Sequence, residues 1–533
     1  METPDKQDEA WAPPVEDPAS QAVRLRGLPL LFWTLTVALA AGWLLTLLSG
    51  PFQPDELHVQ DMYVDQLGYI TTARILSDTG ELRNGVLIPS QIENPRFRPY
   101  MPGHFYALAA SYGTLGYGTF PTLLPSFVSY VLVAALVFLV GNRWYGRWAG
   151  ALATALFALH PAVITYSFTA MAELTFTAAG MLALAAFAAL PRRAWTFAPP
   201  LLLAIPFLFR ETGAFLIIPL GLLIWRARGL VAALLATGGS VVTLKLINSW
   251  QIADGKLAAS MAWVTRGGFN YDDAFAPPEP DLSIGEFLAA VGNNTDRNLG
   301  LLKTLLSDWP GELMPIGLVL VLAVLPLLLI GGLARRRSDP FPLGVGLLLL
   351  LVLGLTLTIY DVQAHKMMRT ALFLAPWSAI ALAGIVRPDR LAERWRARGT
   401  GRLRLGGFAS VALLAAATYG SYGVCVRAGE RMCRRDDAME NRADILGRVH
   451  DPETVIMGPL GIGPAYVLAN YPVVWCFPAA NLETYEEIRK RYRLGTVVSG
   501  FPYEPEDVEA MGLTLAYQMT KARSTLYVYK TGE

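Results

Sequence analysis

Apolar runs of membrane-crossing length recur along this chain and leave few architectures open. A bilayer core of ~30 Å is crossed by ~20 helical residues. Eleven segments read as spans: Leu28–Leu48, Pro121–Val140, Trp148–Tyr166, Ala170–Leu190, Trp195–Phe209, Gly213–Trp225, Leu230–Trp250, Leu313–Leu333, Phe341–Tyr360, Thr370–Val386 and Leu405–Val424. Two of them, Trp195–Phe209 and Gly213–Trp225, are short and contain or adjoin Pro or Gly breaks. The stretch His104–Tyr117 is apolar but brief and broken by Gly, so it reads as a juxtamembrane or re-entrant helix. Composition agrees. Only 16% of the 533 residues are charged, against roughly 25% in soluble domains. The expected fold class is an α-helical polytopic membrane protein with a small extracytoplasmic α/β domain at its C-terminal end.

Basic residues set the orientation. Arg24 and Arg26 precede the first span, and Arg143, Arg147, Arg192, Arg193, Arg226, Arg228 and Arg335–Arg337 follow in alternate loops. Arg387, Arg390, Arg394, Arg396 and Arg398 complete the series. Cytoplasmic loops collect Arg and Lys, so the N-terminus is expected inside. Residues 1–23 read as an acidic, Pro-rich disordered tail, residues 24–426 as the transmembrane domain, and residues 427–533 as the outer α/β domain. Loops 50–120 and 251–312 fall outside. In the tail, Thr454–Met457, Val473–Phe477 and Thr496–Ser499 read as strands. Asn481 caps a polar helix over Leu482–Tyr492, and Thr514–Tyr517 with Thr525–Tyr529 reads as a closing hairpin. The three cysteines have no metal-ligand spacing, and Cys433–Cys476 is the preferred pairing if that side is oxidising. The net charge of +1 says little about partners, the outer domain shows no Gly-rich nucleotide-binding loop, and no nucleic-acid partner is expected.

Charges crowd the outer face. The first loop carries Asp55, Glu56, Asp61, Asp65, Arg74, Tyr69, Tyr100 and His104. Glu173 opens the fourth span, Arg210 and Glu211 separate the fifth from the sixth, and His365, Lys366 and Arg369 lead into the tenth. Cations there suit a phosphate held by charge-assisted hydrogen bonds. A carboxylate suits the removal of a proton from an attacking hydroxyl. Each residue also has a plainer reading: Asp65 as a solvated loop acid, Glu173 as a helix-dipole cap, Arg210 as a partner of Glu211, and the late cations as snorkelling anchors. His160, before Pro161, reads as a helix-end histidine.

The order of these residues resembles a known pattern. Asp65-Gln66-Leu67-Gly68-Tyr69 with Ala73-Arg74, Pro99-Tyr100-Met101-Pro102-Gly103-His104, Asn142-Arg143, Thr169-Ala170-Met171-Ala172-Glu173 and Phe209-Arg210-Glu211-Thr212-Gly213 occur in sequence. Together they resemble the GT-C superfamily of glycosyltransferases, and within it the protein O-mannosyltransferase and lipid A aminoarabinose transferase groups. The resemblance implies an inverting transfer from a polyprenyl-phosphate-linked sugar to a hydroxyl of a glycan, lipid or protein acceptor outside the cytoplasm; the Ala/Arg/Leu-rich composition suits a bacterial plasma membrane, and an ER membrane would have the same topology. The resemblance also implies Asp65 as base, Glu173 as its partner, Arg74, Arg210, His365, Lys366 and Arg369 as candidates for the lipid phosphate, and Tyr69, Tyr100 and His104 as pocket residues. No metal site or required cofactor is expected, though the carboxylates are compatible with a Mg²⁺ or Mn²⁺ ion. Gln66 departs from the usual acidic pair, and Asp55-Glu56 is an intact pair that could hold the base instead. A transporter or flippase and a catalytically inactive scaffold stay open as alternatives.

Overall fold

The computed structural model describes residues 64–82, 86–87, 102–158, 160–251, 313–359, 372–386, 454–458, 473–475, 482–491, 493–499, 502–521 and 524–532, with short stretches inside 289–300 and 448–451. The first and last expected spans therefore lie outside the described residues, as do Asp55, Glu56, Asp61, Tyr100, His365, Lys366, Arg369 and the three cysteines.

Helix α1 (Val64–Thr79) and a short α2 (Gly103–Leu115) pack on each other. Between them lies a two-residue strand, β1 (Val86–Leu87). Gln66, Tyr69, Ile70 and Ala73 are all buried; this i, i+3, i+4, i+7 spacing is one helix face. The bundle follows: α3 (Thr119–Tyr145), α4 (Arg147–Ala158), α5 (Pro161–Ser167), α6 (Ala172–Ala189), α7 (Ala198–Phe207), α8 (Ile217–Arg228) and α9 (Leu230–Gln251). Then come α10 (Leu313–Arg335), α11 (Phe341–Ile359) and α12 (Ala375–Val386). Among the described residues, Phe120–Tyr145, Ala172–Ala189 and Leu230–Ile247 are long and apolar enough to cross a membrane.

The expected Trp148–Tyr166 span is two helices. Pro161 has no N–H to donate and fits the first position of a new helix. The chain accordingly breaks at His160 and restarts. The Tyr130 hydroxyl donates to the freed Ala158 carbonyl at 3.0 Å. His160 sits at this break, and its ring nitrogens have no hydrogen-bond partner among the described residues.

Helix α6 lies deep in the bundle, packed on α3 and α7. Its AELTFTAAGMLALAAFAA sequence keeps side chains small, which lets neighbouring helices approach closely. A close backbone crossing joins α3 to α4. A Cβ on Gly150 would lie 2.8 Å from the Phe138 carbonyl oxygen and 2.9 Å from the Asn142 nitrogen. At this end of the bundle arginines cap helix C-termini. Arg143 Nε donates to the Ala188 carbonyl at 2.8 Å, and Arg335 Nη1 donates to the Gly384 carbonyl at 2.6 Å. Cations at helix C-termini meet both free carbonyls and the negative end of the dipole.

The C-terminal strands form one sheet with a strand from the first loop. β2 (Val455–Gly458), β3 (Val473–Trp475), β4 (Leu494–Ser499), β5 (Leu513–Lys521) and β6 (Ser524–Thr531) join β1 in the order β1-β3-β2-β4-β6-β5. β1 pairs parallel to β3, with Val86 opposite Val473 and Leu87 opposite Val474. β5 and β6 form the expected hairpin. Helices α13 (Leu482–Arg491) and α14 (Pro505–Ala510) precede β4 and β5. Met457, Tyr485, Val497, Met511 and Tyr529 share a small buried core.

Candidate functional site

The polar cluster forms where three chain breaks meet α1. The first break is the entry to α2. Gly103 N–H donates to the Leu208 carbonyl at 2.8 Å, and a Cβ there would meet Phe209 at 2.8 Å. Only glycine permits that approach, which sets His104 beside the turn carrying Arg210. The second break is the extended Thr169-Ala170-Met171 segment ahead of α6. The third is the turn between α7 and the 3₁₀ segment Glu211–Leu216, led by Arg210.

Glu173 lies in the first turn of α6 and is 1% exposed. Its Oε1 accepts from Arg210 Nη1 at 3.1 Å, and the Arg210 side chain is 28% exposed. A buried carboxylate needs such a partner, and the positive end of α6 adds to it. The sequence allowed Arg210 to pair with the adjacent Glu211; it pairs with Glu173, thirty-seven residues away in the chain.

His104 is wholly buried. A carbonyl only accepts, so Nε2–H donates to the Ala170 oxygen at 2.8 Å, and Nδ1 is met by the Thr175 hydroxyl at 2.9 Å. Burial outside the spanning helices lowers its pKa to about 4, so at neutral pH the ring is uncharged. Tyr69 closes over it edge-on, with ring centroids 4.8 Å apart. Two of the three pocket residues expected from sequence, Tyr69 and His104, thus sit within the packing, with both His104 nitrogens committed.

Gln66, one residue after Asp65, is fully buried. Its Oε1 accepts the Ala170 N–H at 2.8 Å, and its Nε2 has no hydrogen-bond partner among the described residues. Ser126 donates to the Thr169 carbonyl at 2.6 Å. Neither residue carries a sequence signature for this role, because what each holds is backbone.

Asp65 lies in the first turn of α1. Arg74 is nine residues further on, ~13.5 Å along the axis and on the opposite helix face. It is engaged by Asp78 at 3.5 Å and lies 4.4 Å over the Tyr117 ring. The structure therefore gathers Gln66, Tyr69, His104, Glu173 and Arg210 and leaves Arg74 apart. Among the described residues, no three His, Cys, Asp or Glu side chains form a group able to hold a metal ion.

No protein-family model and no curated protein matches the chain. Its fold is similar to solved structures. ArnT from Cupriavidus metallidurans bound to undecaprenyl phosphate matches with a TM-score of 0.58 at 14% identity, over 95% of this chain and 99% of that one. The apo state of the same protein matches with a TM-score of 0.58 at 16% identity, over 96% and 100%. The Archaeoglobus fulgidus oligosaccharyltransferase tethered with an acceptor peptide matches with a TM-score of 0.50 at 13% identity, over 88% and 69%. The likeness is one of fold, and it fits the GT-C resemblance read from the motifs.

Proposed function

We propose that this protein is a membrane glycosyltransferase that moves a sugar from a polyprenyl-phosphate-linked donor to a hydroxyl acceptor, with inversion at the anomeric carbon. The observation that carries this reading is the buried Glu173–Arg210 pair at one end of the bundle, assembled beside the Asp65-bearing helix in a GT-C-type fold. The Arg210 side chain stays partly exposed, and its five N–H donors exceed what one carboxylate oxygen uses, so it can pair with a second anion. A lipid phosphate there would be stabilised as charge builds on it during departure of the sugar. Lys366, His365 and Arg369 are the further cations assigned to it, with Arg74 in a more distant role. Asp65 takes the acceptor proton, with Asp55-Glu56 as the competing pair. The acceptor is a glycan, lipid or protein hydroxyl. The chemistry assigned to these residues uses no metal, and Mg²⁺ or Mn²⁺ would be accessory.

The proposed topology has eleven spans, the N-terminus in the cytoplasm, and the 427–533 domain outside a bacterial plasma membrane. Two observations support it. Helix C-termini capped by Arg143 and Arg335 lie at the end expected inside. The β1–β3 pairing requires the first loop and the C-terminal sheet to share one side, hence an even number of crossings between them.

The test is transfer by the purified full-length protein in lipid, supplied with polyprenyl-phosphate sugars and a hydroxyl acceptor. Asp65→Asn should abolish turnover and leave folding intact. Full activity in that variant, with loss in Asp55→Asn/Glu56→Gln, would move the base to the earlier pair. Absence of transfer with every donor would sink the reading.

A further inference from the structure

Ala170 is gripped from both sides. Its N–H is taken by Gln66 of α1, and its carbonyl by His104 of α2. The preceding carbonyl, of Thr169, is taken by Ser126 of α3. Three side chains from three helices thus supply the hydrogen bonds that this extended segment cannot make to itself. Two residues later the chain enters α6, and one residue after that stands Glu173, holding Arg210.

From this arrangement we infer that Gln66 is a positioning residue: through the Ala170 peptide it sets Glu173, and through Glu173 it orients the Arg210 guanidinium toward an anionic ligand. This rests on the lipid-phosphate reading above and deepens it. On this view Gln66 is not a degraded acid. The Ala170 N–H needs an acceptor, and an amide supplies one without adding a second negative charge beside Glu173. A carboxylate at 66 would also accept that N–H, but once ionised it would set a second negative charge against the Glu173–Arg210 pair; only when protonated does it match the amide in charge.

The experiment measures undecaprenyl phosphate binding to the full-length protein in nanodiscs between about pH 5 and pH 8, with thermal midpoints alongside. Wild type should bind throughout. Gln66→Met leaves a buried N–H unpaired and should weaken binding about tenfold at every pH. The phosphate's own second ionisation, at about pH 6, is common to all variants; relative to wild type at each pH, Gln66→Glu should bind alike at the acidic end and progressively more weakly as the buried carboxyl ionises. It also keeps the test valid should Gln66→Met fold poorly, since the ratio of one folded variant to wild type is compared across pH. In an Arg210→Met background, Gln66→Met should add less than about twofold, because the two residues act through one contact.

Wild-type binding with an unchanged affinity in Gln66→Met would overturn the positioning role while leaving the lipid-phosphate reading standing. Tighter binding by Gln66→Glu at alkaline pH would also overturn it and make position 66 an acid site. Full additivity with Arg210→Met would reduce Gln66 to a packing residue. Failure of wild type to bind at any pH would remove the reading on which the inference rests, and the inference with it.

Discussion

Glu173 and His104 make opposite demands on their surroundings. The buried carboxylate needs Arg210, so removing the cation is worse than removing the charge it balances. Arg210→Met should destabilise the protein by about 3 kcal/mol, whereas Glu173→Gln should cost less. The double variant should recover part of the Arg210→Met loss, read as thermal midpoints in detergent. His104 is neutral in the fold and ordinarily titrates near 6.5. The unfolded chain therefore binds the proton more readily between pH 6.5 and about 4. Its contribution to stability is complete above the unfolded value and is lost as pH falls, by roughly 3 kcal/mol on reaching pH 4. A His104→Gln variant should show a flatter decline of its midpoint over that range; an unchanged slope would assign the acid sensitivity to other groups. The convergence of Glu173, His104 and Arg210 could be read from the sequence because polar residues at span ends on one side must meet there. Gln66 and Ser126 could not be read so. Their partners are peptide groups, and an extended segment before a helix leaves no residue-type signature.

The helices show the same division between side-chain and backbone information. Apolar run length located α3, α6, α9, α10 and α11 closely, because runs of that length have few alternatives. One such run continued through the break at His160-Pro161, although Pro161 was the signal that a single helix could not continue. Gly150 is the sharper case, since its requirement is contact with the α3 backbone and not conformation. Gly150→Val should force α3 and α4 apart, overpack the crossing and cost about 1–3 kcal/mol. Gly238→Ala, where an added Cβ meets no atom within 4 Å, should be nearly neutral. Thermal unfolding of the two variants in one detergent compares them directly. Equal midpoints would mean that α3 and α4 can repack without loss.

At the scale of the whole molecule, the two ends of the bundle differ in chemistry. One gathers arginines onto helix C-termini, and the other gathers the Glu173–Arg210 pair and its supports. These ends are separated by the length of α6, ~27 Å for its eighteen residues, close to the thickness of a bilayer core. The sheet fixes a further relation. Because β1 pairs with β3, an epitope at the C-terminus and one in the first loop should be cleaved by protease from the same face of sealed membrane vesicles. Cleavage from opposite faces would contradict the pairing. A common side for the two is the expectation drawn from the distribution of Arg; the shared sheet was not legible there. Val86–Leu87 is too short to show alternation inside a polar loop, and its partner is remote in sequence.

That remoteness has a consequence in time. Val86 meets Val473 across about 390 residues of chain, and ribosomes add roughly 5–20 residues per second. The first loop therefore emerges some 20–80 s before the strand that will receive it. Every helix between them must be threaded into the bilayer during that interval. The loop is left without its sheet until synthesis is nearly complete, so a chain arrested before residue 473 would leave β1 unpaired with β3 even if its bundle had already assembled.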